Sequence, residues 1–305
     1  MPEVVEVLIT SQYLLYNFKD SIIEHLKIHG GKYLKKPIDG YNIIKDSFPL
    51  KLNDVSSKGK LLYFTFEDKN KNTIYCTSSF GLSGLWGTIR EKHSNIEFKV
   101  KNGKSLWYTD HRNFGNLSFY TKKSQLDEKL NKKEFDVLRE SFDYKKIKKL
   151  IENIITKNKR NESKQIVKVL LEQEVNKGIC SGIGNYLVAE ILYDAKISPH
   201  TTLGEIIKND VIIKRLTHSM KYIIKLSYMS SVEGYMEYYK EFKNTHKKLI
   251  KNGKLNQFHK DIKIKNDDEF SFKVYRQNND PLGNIVKGER ILKERTTYWV
   301  PSVQK

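Results

Sequence analysis

Ser181-Gly182-Ile183-Gly184-Asn185-Tyr186, leading into Leu187-Val188-Ala189-Glu190-Ile191-Leu192, is the stretch on which the fold turns. Two glycines around one apolar residue make a tight turn that opens a helix. The backbone N–H groups at such a helix start, together with the Asn185 amide, suit a phosphate oxygen. Read alone, the same residues also describe an ordinary glycine turn between two helices. Their surroundings decide which reading holds.

Those surroundings are basic. The chain has 55 Lys and Arg against 36 Asp and Glu, a formal charge of +19, and a field of that sign attracts polyanions before contact. Nucleic acid is the partner class this favours, with a merely Lys-rich solvated surface as the plainer account. At 305 residues, 38% hydrophobic and 11% aromatic, the chain can bury two cores, so two domains are expected. Cys76 and Cys180 are the only cysteines, too few for a disulfide framework or a four-thiolate zinc site. That usage fits a reducing, intracellular compartment, nuclear or cytoplasmic according to source. No run of 18 apolar residues occurs and the opening lacks a signal-peptide pattern, so no membrane partner is expected.

Outward from the glycine turn, the periodicity divides the chain. Residues 4–26 carry apolar positions at helical spacing and read as one amphipathic helix. Segments 61–66, 73–76, 96–100 and 117–120 are short, β-branched or aromatic, and bounded by turn residues, the pattern of an antiparallel sandwich. Helical periodicity takes over from about Leu126, with 124–135 polar enough to serve as a hinge, and runs to about Tyr239. Residues 240–267 read as a long exposed polar loop, and 270–275 and 296–300 as strands. The expected class is α+β: an antiparallel β-sandwich domain with a flanking helix at 1–125, a hinge at 126–142, a helical domain at 143–267 and a terminal hairpin at 268–305.

Pro2 adds chemistry to this frame. Initiator methionine is removed before a small residue, and an α-amine titrates near ~8, against about 10.4 for a lysine side chain. A secondary amine of that kind condenses with an aldehyde carbon to an iminium, and Glu3 beside it can donate or accept a proton. In combination, Met1-Pro2-Glu3, the Gly182-Ile183-Gly184-Asn185-Tyr186 turn and the terminal Arg295-Thr296-Thr297-Tyr298-Trp299 stand in the order and spacing of one family. The chain resembles the formamidopyrimidine-DNA glycosylase / endonuclease VIII family over nearly its whole length.

The resemblance implies a helix-two-turn-helix motif around the glycine turn, and a bifunctional DNA glycosylase and abasic-site lyase of base excision repair. Pro2 would be the Schiff-base nucleophile, Glu3 the general acid, and Lys60 a phosphate-contacting catalytic lysine, with Glu6 and Glu190 supporting the active site. Leu82, Arg112 and Phe114 would fill the void left by an everted nucleotide, and Asn185 and Arg295 would grip phosphates. Elimination on both sides of the sugar would follow, on damaged DNA, duplex and single-stranded, by a monomer without a cofactor. A scaffold of the same shape that binds DNA or RNA without catalysis is the alternative, though binding alone needs neither Pro2 nor Glu3.

The departures from the family pattern are informative. Where members with a zinc finger end in a Cys pair, this chain has Val300 and Val303, and no cysteine follows Cys180. That resembles the zincless finger of some members, a hairpin on the endonuclease VIII side of the family, with oxidised pyrimidines and ring-opened purines as the implied lesions. Val4-Val5 replaces a Gly-Pro pair, and Leu82 a methionine common among members.

Overall fold

The computed structural model describes residues 2–230, 235–253, 258–265 and 268–305. Two compact units emerge, one of Met1–Pro2, Glu6–Asn131 and Glu237–Phe242, the other of Glu3–Val5, Lys132–Met236 and Lys243–Lys305. Among the described residues no helix is long and apolar enough to cross a membrane.

The first unit is built on eight strands: β1 (Ile22–Ile28), β2 (Leu50–Lys58), β3 (Leu61–Glu67), β4 (Thr73–Ser79), β5 (Leu85–Gly87), β6 (Ser94–Val100), β7 (Ser105–Thr109) and β8 (Asn116–Tyr120). They pair antiparallel in the order β5-β7-β6-β1-β2-β3-β4-β8. In a flat sheet β3 and β5 would stand five strand steps apart, roughly 24 Å. Yet the rings of Phe64 on β3 and Trp86 on β5 lie 5.1 Å apart, and Phe98 on β6 meets Phe119 on β8 at 6.5 Å. The sheet is therefore folded over on an aromatic core. The bend falls at β1–β2, where the register holds only Ile22↔Lys51 and Ile23↔Leu50.

The first helix, α1 (Val4–Phe18), is shorter than its periodicity suggests. Ile22, Ile23 and Leu26 continue the helical spacing but belong to β1, because cross-strand pairing outweighs local pattern. Asp20, at φ 65, breaks the path, and its N–H bonds the Leu52 carbonyl at 2.8 Å. Val4, Val5, Val7, Leu8 and Ile9 are all buried, so the first half of α1 is enclosed, while Tyr16 and Asn17 in its last turn are exposed. A short helix, α2 (Tyr41–Ile44), precedes β2, and α3 (Lys123–Asn131) occupies most of the expected polar hinge.

The second unit is helical: α4 (Tyr144–Lys157), α5 (Ile166–Leu171), α6 (Asn185–Asp194), α7 (Leu203–Ile207) and α8 (Asp210–Met229). Asp143, Thr202 and Asn209 cap α4, α7 and α8 with their side chains. The expected exposed loop at 240–267 begins as a helix, α9 (Lys240–Lys251), and its positions 254–257 and 266–267 lie outside the described residues. The reason lies in Phe242, His246 and Ile250, which stand at helical spacing and are buried beneath a lysine-rich face. The hairpin β9 (Lys287–Leu292) and β10 (Arg295–Trp299) closes the chain.

Burial of two histidines in this unit predicts acid sensitivity. His246 and His259 are pulled from the ordinary 6.5 to about 4, both by desolvation, and the neighbouring Lys221 and Lys225 lower His259 further. A depressed folded value means the unfolded chain takes up protons first. Stability is then complete above about pH 6.5 and drains as pH falls towards about 4. Urea midpoints measured from pH 7 to pH 4.5 should fall steadily. His259→Gln keeps a donor for the Val137 carbonyl and should flatten the fall; an unchanged slope would disprove the assignment.

Candidate active site

The glycine turn is built around Glu3. Its carboxylate, 1% exposed, accepts N–H bonds from Gly184 at 2.6 Å, Tyr186 at 2.9 Å and Leu187 at 3.3 Å. The Val4 N–H bonds the Gly182 carbonyl at 3.0 Å, so the opening of the chain is stitched to the start of α6. Both glycines follow from this approach. A Cβ on Gly182, at φ 119, would meet the Val4 Cβ at 2.6 Å, and one on Gly184 would lie 2.3 Å from the Glu3 Cδ. The N–H groups expected to await a phosphate are thus held by a carboxylate of the protein itself.

Asn185, the first residue of α6, donates from Nδ2 to the Thr296 carbonyl at 3.0 Å. Its amide thereby fastens β10 beside Arg295. Glu3, Asn185 and Arg295, far apart in sequence, share this neighbourhood. Glu190 lies one turn further along α6, 1% exposed, and accepts the N–H groups of Lys273, Val274 and Tyr275. Burial pushes its pKa up, against those three bonds. The carboxylate faces protein amides and positions segment 273–275. This is also why 270–275 forms no strand: three amides go to Glu190, and that of Phe270 goes to the Ser230 hydroxyl.

In the first unit, two loops are clasped together. Buried Asp110 accepts from the Ser83 hydroxyl at 2.6 Å, the Gly115 N–H at 2.8 Å and the Arg112 N–H at 3.2 Å. Gly81, at φ 58, lies so close to the second loop that a Cβ would sit 2.6 Å from the Gly115 nitrogen. The clasp leaves Leu82 half-buried and Arg112 exposed, while Phe114 is 55% exposed with the Arg112 guanidinium 5.2 Å from its ring centre. An apolar ring standing in solvent beside a cation is not a core residue. Lys60 occupies the β2–β3 turn after Gly59, half-buried; Pro2 is half-buried and Glu6 buried in the first turn of α1.

Family models described as the formamidopyrimidine-DNA glycosylase N-terminal and C-terminal domains match residues 1–117 and 260–305. A relative named formamidopyrimidine-DNA glycosylase from Mycoplasma genitalium is 30% identical over 212 residues, covering 68% of each chain. The chain belongs to the formamidopyrimidine-DNA glycosylase family. A second relative of that name, from Ureaplasma parvum, is 30% identical over 65% of this chain and 69% of its own. The Lactococcus lactis formamidopyrimidine-DNA glycosylase, solved with DNA containing an oxidised pyrimidine, shares the fold at a TM-score of 0.74 and 20% identity, each chain covered in full. The same enzyme with DNA containing formamidopyrimidine-dG aligns at a TM-score of 0.73 and 20% identity over 99% of this chain. The family is one of DNA glycosylases with abasic-site lyase activity, and this chain is a member.

The finger of this formamidopyrimidine-DNA glycosylase family member is held by apolar packing and side-chain amides. Val300 packs with Ala189, Val274 and Val286, and Val303 closes the edge of the same cluster. Buried Gln304 accepts the Val300 N–H at 2.7 Å and donates to the Ile197 carbonyl at 2.9 Å. Across the knuckle, Asp280 takes the N–H groups of Leu282 and Asn284, the Asn284 amide and the Tyr193 hydroxyl. Among the described residues no group of three His, Cys, Asp or Glu is placed to hold a metal ion.

Sequence reading missed Asp110 and Asp280, though each stands in a turn-forming run where an Asx side chain organises backbone N–H groups. It also missed the Thr296 carbonyl, because a backbone acceptor leaves no mark in residue type.

Proposed function

We propose that this family member excises oxidised pyrimidines and ring-opened purines from DNA as a monomer, through a Schiff base on the Pro2 amine and elimination at both flanking phosphates. The observation that carries the reading is the fixed Glu3 carboxylate, immobilised by three amides one residue from the proposed nucleophile. Positioning a proton-transfer group next to a reacting centre is worth about 10²–10⁴ in rate.

The steps balance without an external redox partner. The Pro2 nitrogen forms a bond to sugar C1′ as the glycosidic bond breaks, and the base leaves with the electron pair and gains a proton. Glu3 takes up the proton that the Pro2 nitrogen loses on attack and delivers it to the ring oxygen, and the opened sugar is held as an iminium. The iminium acidifies C2′; loss of that proton expels the 3′ phosphate, loss of the C4′ proton then expels the 5′ phosphate, and water hydrolyses the remaining iminium, releasing the unsaturated sugar aldehyde and restoring the Pro2 amine. Lys60 neutralises a phosphate beside the lesion. The L. lactis relative's complexes with both lesion types support the substrate class.

Borohydride added to the protein on abasic duplex DNA should trap a covalent complex, and lesion-bearing duplexes should yield gaps bounded by phosphates. Absence of an adduct with processed protein removes the lyase reading and leaves a DNA-binding scaffold. A parallel panel on single strands sets the strand requirement.

Arg112→Ala should leave its loop intact, because Asp110 holds that residue by its backbone. Loss of the guanidinium should shift the kcat/KM ratio for a lesion opposite dC versus dA towards unity, by up to about tenfold. An unaltered ratio would exclude Arg112 from reading the orphaned base.

A further inference from the structure

A relay of hydrogen bonds fastens the hairpin to the helices of its own unit through His200, a residue that takes no part in the chemistry above. Its Nε2 lies 3.1 Å from Glu289 Oε2 on β9, and its Nδ1 lies 3.1 Å from the Nε2 of Gln165, the residue before α5. The same Glu289 oxygen accepts the Trp299 Nε1–H at 3.1 Å and meets the Lys287 ammonium at 3.3 Å. The Trp299 ring stands edge-on to the imidazole, 5.3 Å between centres. These contacts, His200 foremost, hold Glu289 below the usual carboxylate range. Glu289 and, beyond it, Lys287 are the charged groups that face the ring.

We infer that His200 is a positioning residue for the hairpin, its imidazolium locking Glu289 so that the grip on DNA tightens in mild acid. Glu289 pairs with Thr297, two residues from Arg295, so the lock acts on the strand that carries Arg295. A neutral ring gives Glu289 one ordinary hydrogen bond; a protonated ring makes that bond charge-assisted. Gln165 accommodates both states. Its Nε2 donates to a neutral Nδ1, and with the amide turned over its Oε1, buried and otherwise without a partner, accepts from a protonated one. The His200 and Glu289 side chains are 37% and 29% exposed, so solvent protons reach the ring. The assignment rests on the reading that the hairpin contacts DNA, but not on the Pro2 chemistry.

Indole N–H resonances test the lock without DNA. The chain has three tryptophans, and Trp299→Phe identifies the Trp299 signal. Between about pH 5 and about pH 8 that signal should shift in the wild type and stay fixed in H200Q, while that of Trp86, which donates to the Ser78 hydroxyl, stays fixed in both. E289Q should bring the midpoint to lower pH, because the anion that favours the charged ring is gone. Affinity for a duplex containing a tetrahydrofuran abasic analogue gives the second readout. The Kd of H200Q relative to wild type should be about threefold at about pH 5.5 and near unity at about pH 8. Titration of His246 and His259 is common to both chains and cancels in that ratio. A Trp299 signal that stays fixed in the wild type, a midpoint that E289Q leaves unchanged, or a Kd ratio independent of pH overturns the inference. The E289Q midpoint carries the test if H200Q does not fold. An Arg295→Ala chain of unchanged affinity would instead remove the reading of the hairpin as a DNA contact, and leave the lock to stand or fall on the indole midpoint. Binding alone is read, so a failure of borohydride trapping leaves both comparisons valid.

Discussion

With Gly-Ser placed ahead of Pro2, trapping by borohydride should vanish and strand cleavage should fall by about 10³-fold or more. The extension turns a secondary amine into an amide, whose nitrogen lone pair is delocalised and cannot attack C1′. Nothing is removed from the side chains that grip DNA, so affinity for abasic-analogue duplex should stay within about threefold. A rate loss accompanied by an equal loss of affinity would point to obstruction of binding instead. Cleavage persisting at the wild-type rate would show that another amine, Lys60 foremost, carries the Schiff base.

Gly184→Ala should produce the second large effect, through a residue that takes no part in the chemistry. The new Cβ would sit 2.3 Å from the Glu3 Cδ and 2.4 Å from its Oε1. One of them must move, and the glutamate, a side chain that can change rotamer, gives way before the backbone of Gly184, which opens α6. Displacement by about an ångström from a productive position costs on the order of 10²-fold in kcat. Overpacking of this kind should also destabilise the fold by about 1–3 kcal/mol. Gly87→Ala is the control, because nothing lies within 4 Å of its would-be Cβ and its φ is unremarkable. A Gly184→Ala chain with wild-type kcat would separate the Glu3 carboxylate from catalysis.

Much of the architecture was legible in residue pattern. The short β-branched and aromatic segments at 61–66, 73–76, 96–100 and 117–120 each became part of a strand, with apolar side chains buried in every one. The glycine turn was legible as a turn, but its purpose was not. Periodicity says that Gly182 and Gly184 bend the backbone; only the folded chain shows that Val4 and Glu3 need the space. Residues 22–26 misled because isoleucine and leucine at helical spacing are equally at home in a strand, and pairing with β2 and β6 decides. Glu190's partners could not be read from residue type either: a helix glutamate usually faces solvent, and this one is enclosed by three amides from a segment more than 80 residues away. Long-range hydrogen bonds to the backbone are the part of a site that residue type cannot announce.

The finger has a chemical consequence. Residues 268–305 contain neither cysteine nor methionine, and the two cysteines elsewhere are buried. Peroxide, which damages bases, also attacks thiolates and thioethers, and a thiolate-ligated metal is lost to chelators. A hairpin fastened by Val300, Asp280 and Gln304 offers neither target. The hold on DNA proposed for this hairpin should therefore withstand sulfur oxidation and chelation, and so persist under the oxidising stress that creates the lesions themselves.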